Sequence, residues 1–204
     1  MKRWRLILFS IGLVISGILF LGVISTVSAA PFTLDFTYSG EFYGNGASAT
    51  GFLTVTDVTV IPNPSPGFVE AILPNPDISA LSMTITDASS GNGTFSLADF
   101  KSLFWDTGGV KLDFSKELVG QPTLIDPWGS PFGHGGDFTL MGQPGTTAPY
   151  GANYFTLVTG SGEGDWILLT SMRARGASVA EPATMLLLGS GLLGLWAFRK
   201  KFKK

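Results

Sequence analysis

FTLDFTYSGEF (residues 32–42) and ATGFLTVTDVTV (residues 49–60) decide the fold class. In both, β-branched or aromatic residues alternate with small polar ones. A period of two puts alternate side chains on opposite faces of an extended chain, which is the pattern of a half-buried strand rather than a helix. LSMTITD (81–87) repeats it, and VKLDF (110–114), GDFTLM (136–141), NYFTLVTG (153–160) and DWILLTSMRA (165–174) supply later strands. The segments between them are turn-rich. Asn45-Gly46 and Asn92-Gly93 are pairs that tolerate the positive φ angles of tight hairpins, while IPNPSPGF (61–68) and LPNPDIS (73–79) are proline-rich loops where sheet pairing must stop. One stretch departs from this pattern. SLADFKSLF (96–104) sets Leu97, Phe100, Leu103 and Phe104 at helical spacing behind a Ser96/Asp99 capping box, so it reads as a short helix. The expected architecture is all-β, an antiparallel β-sandwich or jelly roll with one short helix, because one-sided apolar strands need a second layer to cover them.

Outside this middle region both ends are apolar and flanked by basic residues. Lys2, Arg3 and Arg5 precede an apolar run over residues 6–24, and Val27-Ser28-Ala29 offers small residues to a signal peptidase. Residues 1–29 therefore read as a signal peptide cleaved after Ala29; a cut one residue later would place Pro31 behind the scissile bond. At the other end no charge interrupts the chain between Glu181 and Arg199. As a helix at ~1.5 Å per residue that run nearly crosses a ~30 Å hydrocarbon core. Arg199, Lys200, Lys201, Lys203 and Lys204 then act as a stop-transfer cluster held in the cytoplasm. Residues 30–178 form the exported domain between these two ends.

The tail resembles the PEP-CTERM sorting signal of exopolysaccharide-producing Gram-negative bacteria over residues 179–204. Glu181-Pro182 match the last two residues of the Pro-Glu-Pro signature, residues 183–195 match its apolar continuation, and Arg199 onward match its basic end; Ala180 stands where the first Pro is expected. The resemblance implies recognition of Glu181 and Pro182 by exosortase, a membrane-embedded peptidase or transpeptidase. It also implies transient residence in the inner membrane, then delivery to the cell envelope, cell surface or exterior beside an exopolysaccharide matrix. It does not specify what the exported domain does, because such proteins share the tail and differ in the domain it carries.

Charge and composition narrow that question. Between the two ends five Lys and Arg face fourteen Asp and Glu, leaving about −9 that the whole-chain value of −2 conceals. Nucleic acid is thereby disfavoured as a partner, since a phosphate-binding face needs clustered cations. The chain has no cysteine, which excludes disulfides, thiolate metal sites, a cysteine nucleophile and a lipid-modified cysteine anchor.

Candidate chemistry is sparse. Asp106-Thr107-Gly108 has the form of an aspartic peptidase signature but occurs once, and a turn explains it more simply. His134, the only histidine, lies near Ser130 and Asp137 without a Gly-x-Ser-x-Gly elbow. TGSGEGDW (159–166) is glycine-rich but flanked by strands, so it lacks the helix N-terminus of a phosphate cradle. DASSGNGT (87–94) and GHGGDF (133–138) place acidic residues beside turns, which suits calcium, the one cofactor to consider, although neither matches a known calcium loop. Two function classes follow: a non-enzymatic envelope or matrix protein that binds exopolysaccharide, and a glycosidase-like extracellular hydrolase using two of its carboxylates. Trp105, Trp128, Trp166, Tyr150 and Tyr43 are the residues expected to stack on sugar rings in the first case.

Overall fold

A computed structural model describes residues 31–176; the expected signal peptide with its expected Ala29 site and the tail with Glu181, Pro182 and the basic cluster lie outside the described residues. Ten antiparallel strands form one hydrogen-bonded sheet: β1 (Phe32–Ser39), β2 (Ser48–Val55), β3 (Val69–Ile72), β4 (Ile78–Thr86), β5 (Gly93–Ser96), β6 (Phe100–Asp106), β7 (Asp137–Gly142), β8 (Tyr150–Asn153), β9 (Thr156–Val158) and β10 (Trp166–Ala174). Their spatial order is β3-β6-β7-β8-β9-β10-β1-β2-β4-β5.

The alternation in the sequence sets the inner face. Leu34, Phe36 and Tyr38 of β1 are buried, as are Leu53 and Val55 of β2 and Leu81, Met83 and Ile85 of β4, while Thr33, Asp35 and Thr37 face outward. Gly51 sits opposite Phe36, where a methyl group would collide with the Phe36 ring and the Ser82 carbonyl, so glycine lets the ring lie flat over β2. Phe36 on β1 meets Phe138 on β7 at a ring separation of 5.4 Å, and Tyr38 donates its hydroxyl to the Phe138 carbonyl at 3.2 Å. Three strands separate β1 from β7 in the sheet, so this contact requires the sheet to curl over its own core. The apolar faces are thus covered by one continuous curled sheet instead of the two separate layers expected of a sandwich.

The expected short helix at residues 96–104 does not form. Its capping box survives, with Ser96 N–H donating to Asp99 Oδ2 at 2.7 Å, but it caps a single 3-10 turn, Leu97–Asp99, and Phe100 onward is strand β6. Phe100, Leu103 and Trp105 enter the core from β6, helped by a register shift between Phe100 and Ser102 against β7. Strand pairing on both sides, with β3 and β7, outweighs a local helical spacing in a segment this rich in aromatic residues. VKLDF is likewise not a strand: it belongs to the irregular segment 107–136, which inserts Leu112, Leu118 and Trp128 into the core.

That segment is fixed by Glu117. Its carboxylate accepts from Met172 N–H at 2.6 Å, Ser171 Oγ at 2.7 Å and Arg173 Nε at 2.8 Å, stitching the loop to β10. Partial burial opposes its ionisation, but these donors together with Val119 N–H outweigh it and hold its pKa below the ordinary value. At the same end of the molecule Leu34 pairs with Ala174 and Arg175 N–H donates to the Thr33 carbonyl at 2.8 Å, so the chain enters and leaves the domain side by side. The Arg175 guanidinium is bound by Asp35 and lies over the Phe52 ring.

Candidate functional site: an exposed aromatic face

β1 runs about 25 Å from the end where the chain enters and leaves to the far end of the sheet. There the chain leaves β1 through a 3-10 turn, Glu41–Tyr43, and β10 begins at Trp166. The turn folds back because Gly44 adopts φ 75° and because Asn45 is tied on both sides. Its Oδ1 accepts from Ala47 N–H at 3.0 Å and its Nδ2 donates to the Trp166 carbonyl at 3.0 Å. Tyr43 is thereby held against Trp166, ring centroids 5.7 Å apart, while its hydroxyl lies 2.8 Å from Thr156 Oγ1. Phe42 meets Tyr43 edge-on at 5.1 Å. Trp166 keeps 40% of its surface exposed and Phe42 57%. A shallow hollow of about 520 Å³ lies here, lined by Tyr43, Asn45, Gly164, Asp165 and Trp166.

Tyr150 extends this surface. Tyr150 and Trp166 both pair with Val158 from opposite sides, so the three share a row on one face of the sheet. Two strand spacings place the aromatic residues roughly 10 Å apart, and Tyr150 is also exposed. Of the aromatics expected to stack on sugars, the structure brings Trp166, Tyr150 and Tyr43 to one surface. Trp105 and Trp128 are corrected to core residues: both are wholly buried, 5.4 Å apart, and their indole N–H groups donate to the carbonyls of Pro62 at 3.0 Å and Asp106 at 2.8 Å. The sequence reading missed Phe42, Asn45 and Asp165. The alternating run extends in sequence through Phe42, whereas β1 ends at Ser39 and Phe42 and Tyr43 sit in the turn that follows; the signal was the glycine flank of GEFYGNG.

The remaining candidates resolve into scaffold. Asp106 Oδ1 accepts from Ser65 Oγ and Gly108 N–H, both at 2.9 Å, while Ser65 N–H donates to Thr107 Oγ1 at 2.9 Å and Thr107 N–H to Ser65 Oγ at 2.8 Å. The Asp-Thr-Gly turn is therefore a clasp between the proline-rich loop and the end of β6. Asp137 pairs with Asp106 across the ladder, and burial followed by the Asp106 charge raises its pKa to about 7. At 4% exposure Asp137 cannot reach a polymer. His134 Nδ1 lies 3.0 Å from Asp126 Oδ2 on the exposed loop. DASSGNGT closes on itself, Asn92 accepting from Ala88 N–H at 2.9 Å and donating to the Ala88 carbonyl at 2.6 Å. Among the described residues no three acidic or imidazole side chains converge as a metal site.

The family model of the PEP-CTERM protein-sorting motif matches residues 178–201. The chain carries a PEP-CTERM protein-sorting motif. That motif marks it as an exported protein sorted by exosortase, passing through the membrane to the cell envelope or surface. No curated protein and no solved structure matches the chain.

Proposed function

We propose that this PEP-CTERM protein is a non-enzymatic envelope or matrix component that holds exopolysaccharide on the Trp166 face. One observation carries the reading: exposed Trp166, Phe42 and Tyr150, with half-buried Tyr43 packed against Trp166 and Phe42, form an aromatic surface at the end of the domain opposite its two chain ends. Large aromatics commonly go to the core of a β protein, as Trp105, Trp128, Phe138 and Phe155 do here; Phe68, Phe132 and Tyr154 are exposed elsewhere on the surface. An aromatic face beside planar polar groups such as Asn45 and Asp165 is suited to the C–H faces and hydroxyl rims of sugar rings. The hydrolase alternative requires two carboxylates at a substrate; the adjacent pair here, Asp106 and Asp137, belongs to the packed end of β6 and β7.

Affinity electrophoresis of residues 31–176 through gels containing exopolysaccharide from the producing cell tests this. The wild-type domain is retarded, Trp166→Ala is not, and Phe68→Ala, which removes an exposed aromatic stacked on Phe104 elsewhere on the surface, is retarded like wild type. Equal retardation of Trp166→Ala and wild type would refute the assignment.

A further inference from the structure

We infer that the Trp166 face selects glycans free of acidic groups and holds amino-sugar polymers tightest. The inference rests on the glycan-binding reading above and adds the charge class of the ligand.

The domain's charges are segregated. Asp165 lines the hollow itself, its Oδ2 taking the Ser89 N–H. Glu41 is exposed at the first position of the turn that carries Phe42 and Tyr43, and Glu163 is exposed two residues before Asp165. Asp87 is exposed just beyond the end of β4, on the chain that reaches Asp165 through Ser89. None of these four forms an ion pair among the described residues. Of the five cations among the described residues, four sit at a distance: Arg173 and Arg175 at the opposite end of β10 on Glu117 and Asp35, Lys116 on Asp113, and Lys111 in the segment 107–136; Lys101 is the fifth, exposed on β6 beside Met141 and two strands beyond Tyr150, at the edge of the face away from Trp166. A polymer laid across Trp166 and Tyr43 therefore meets an acidic rim with no cation in it.

Such a field acts in one direction. A carboxylated or sulfated glycan brings like charge to within a few ångströms of Asp165 and Glu163, and repulsion of this kind is a device of selectivity as much as attraction is. A protonated amino sugar gains the opposite interaction, and a neutral glycan is unaffected. Single exposed ion pairs are weak, so the discrimination comes from several carboxylates acting together and is strongest at low ionic strength. An amino-bearing polymer is expected to bind about 5-fold to 10-fold tighter than its neutral counterpart, with the acidic counterpart weaker again by a similar factor.

The test uses the full chain in neutral detergent micelles and three β-1,4-linked oligomers of one backbone geometry: unmodified cello-oligosaccharide, chitosan oligosaccharide and 6-carboxylated cello-oligosaccharide. Binding is measured in mildly acidic buffer at ~0.01 M and ~1 M salt, where the Debye lengths are about 30 Å and 3 Å. Chitosan oligomer should bind tightest and carboxylated oligomer weakest, with the ranking collapsing at high salt. The exposed-residue double variant Glu41→Gln/Glu163→Gln should reduce the ratio of chitosan to neutral-oligomer affinity several-fold. Carboxylated oligomer binding as tightly as the neutral one overturns the inference and leaves the glycan reading standing. Chitosan binding Trp166→Ala as well as wild type also overturns it, because the attraction would then be general to an acidic domain. Failure of all three oligomers and of the native polymer to bind removes the underlying reading as well.

Discussion

Asp137→Asn separates the electrostatics of the fold from its packing. Asp137 opens β7 directly opposite Asp106, is 4% exposed, and has an Oδ1 that meets no donor. Its pKa rises from 3.8 to about 7, first through burial and then through the Asp106 charge. A carboxyl whose folded pKa is raised binds its proton more tightly in the folded state, so its contribution to stability is greatest below about pH 4. That contribution declines as pH rises to about 7 and is flat beyond. Roughly three units at 1.36 kcal/mol each set a ceiling of about 4 kcal/mol on the cost of ionising it. Asn keeps the shape and removes the charge. In thermal melts of residues 31–176 the variant should match wild type at about pH 4 and exceed it at about pH 8 by several degrees, since 1 kcal/mol is worth about 2–4 °C in a domain of this size. Melting curves for the two proteins that run parallel from pH 4 to pH 8 would refute the reasoning.

Other expectations follow from the same structure. Trp105→Ala removes a wholly buried indole and its bond to Pro62, and should cost about 3–5 kcal/mol by chemical denaturation, against under ~0.5 kcal/mol for Phe68→Ala at the surface. Glu117→Gln strips the charge from the hub that ties the segment 107–136 to β10; hydrogen exchange at Leu118 and Met172 should rise and stability fall by about 1–3 kcal/mol. Because the Glu117 pKa is depressed in the folded protein, that loss should shrink as pH falls through the folded value, when the wild-type carboxylate is itself protonated. Replacing Glu181 and Pro182 together with Ala leaves the apolar run 183–198 intact, so full-length protein should accumulate in membranes; shortening and release at the wild-type rate would make the tail a plain anchor.

Strands were legible wherever one face is buried and the other wet, because there the period of two is enforced: β1 and β10 lie within the alternating runs, and β2 and β4 overlap them but begin one and three residues earlier. β6 was misread because its inward residues, Phe100, Leu103 and Trp105, are offset by a register shift that imitates helical spacing. The curl of the sheet was not legible, since it depends on contacts such as Phe36 with Phe138, about a hundred residues apart. At the candidate site, identity alone could not divide the tryptophans. Trp105 lies within a strand paired on both sides and Trp166 at a strand's first residue, where the sheet face is open to solvent. Phe42 and Asn45 depended on a turn whose return onto Trp166 is a tertiary fact.

The most direct test of the central claim uses the three tryptophans of residues 31–176. Trp105 and Trp128 are buried and Trp166 is exposed, so a collisional quencher such as acrylamide reports on Trp166 alone. Added exopolysaccharide should protect that fluorescence from quenching in the wild-type domain and have no effect in Trp166→Phe, whose remaining indoles are already shielded. Unchanged quenching of the wild-type domain at saturating polymer, or equal protection in the two proteins, would contradict the claim that glycan lies on this face.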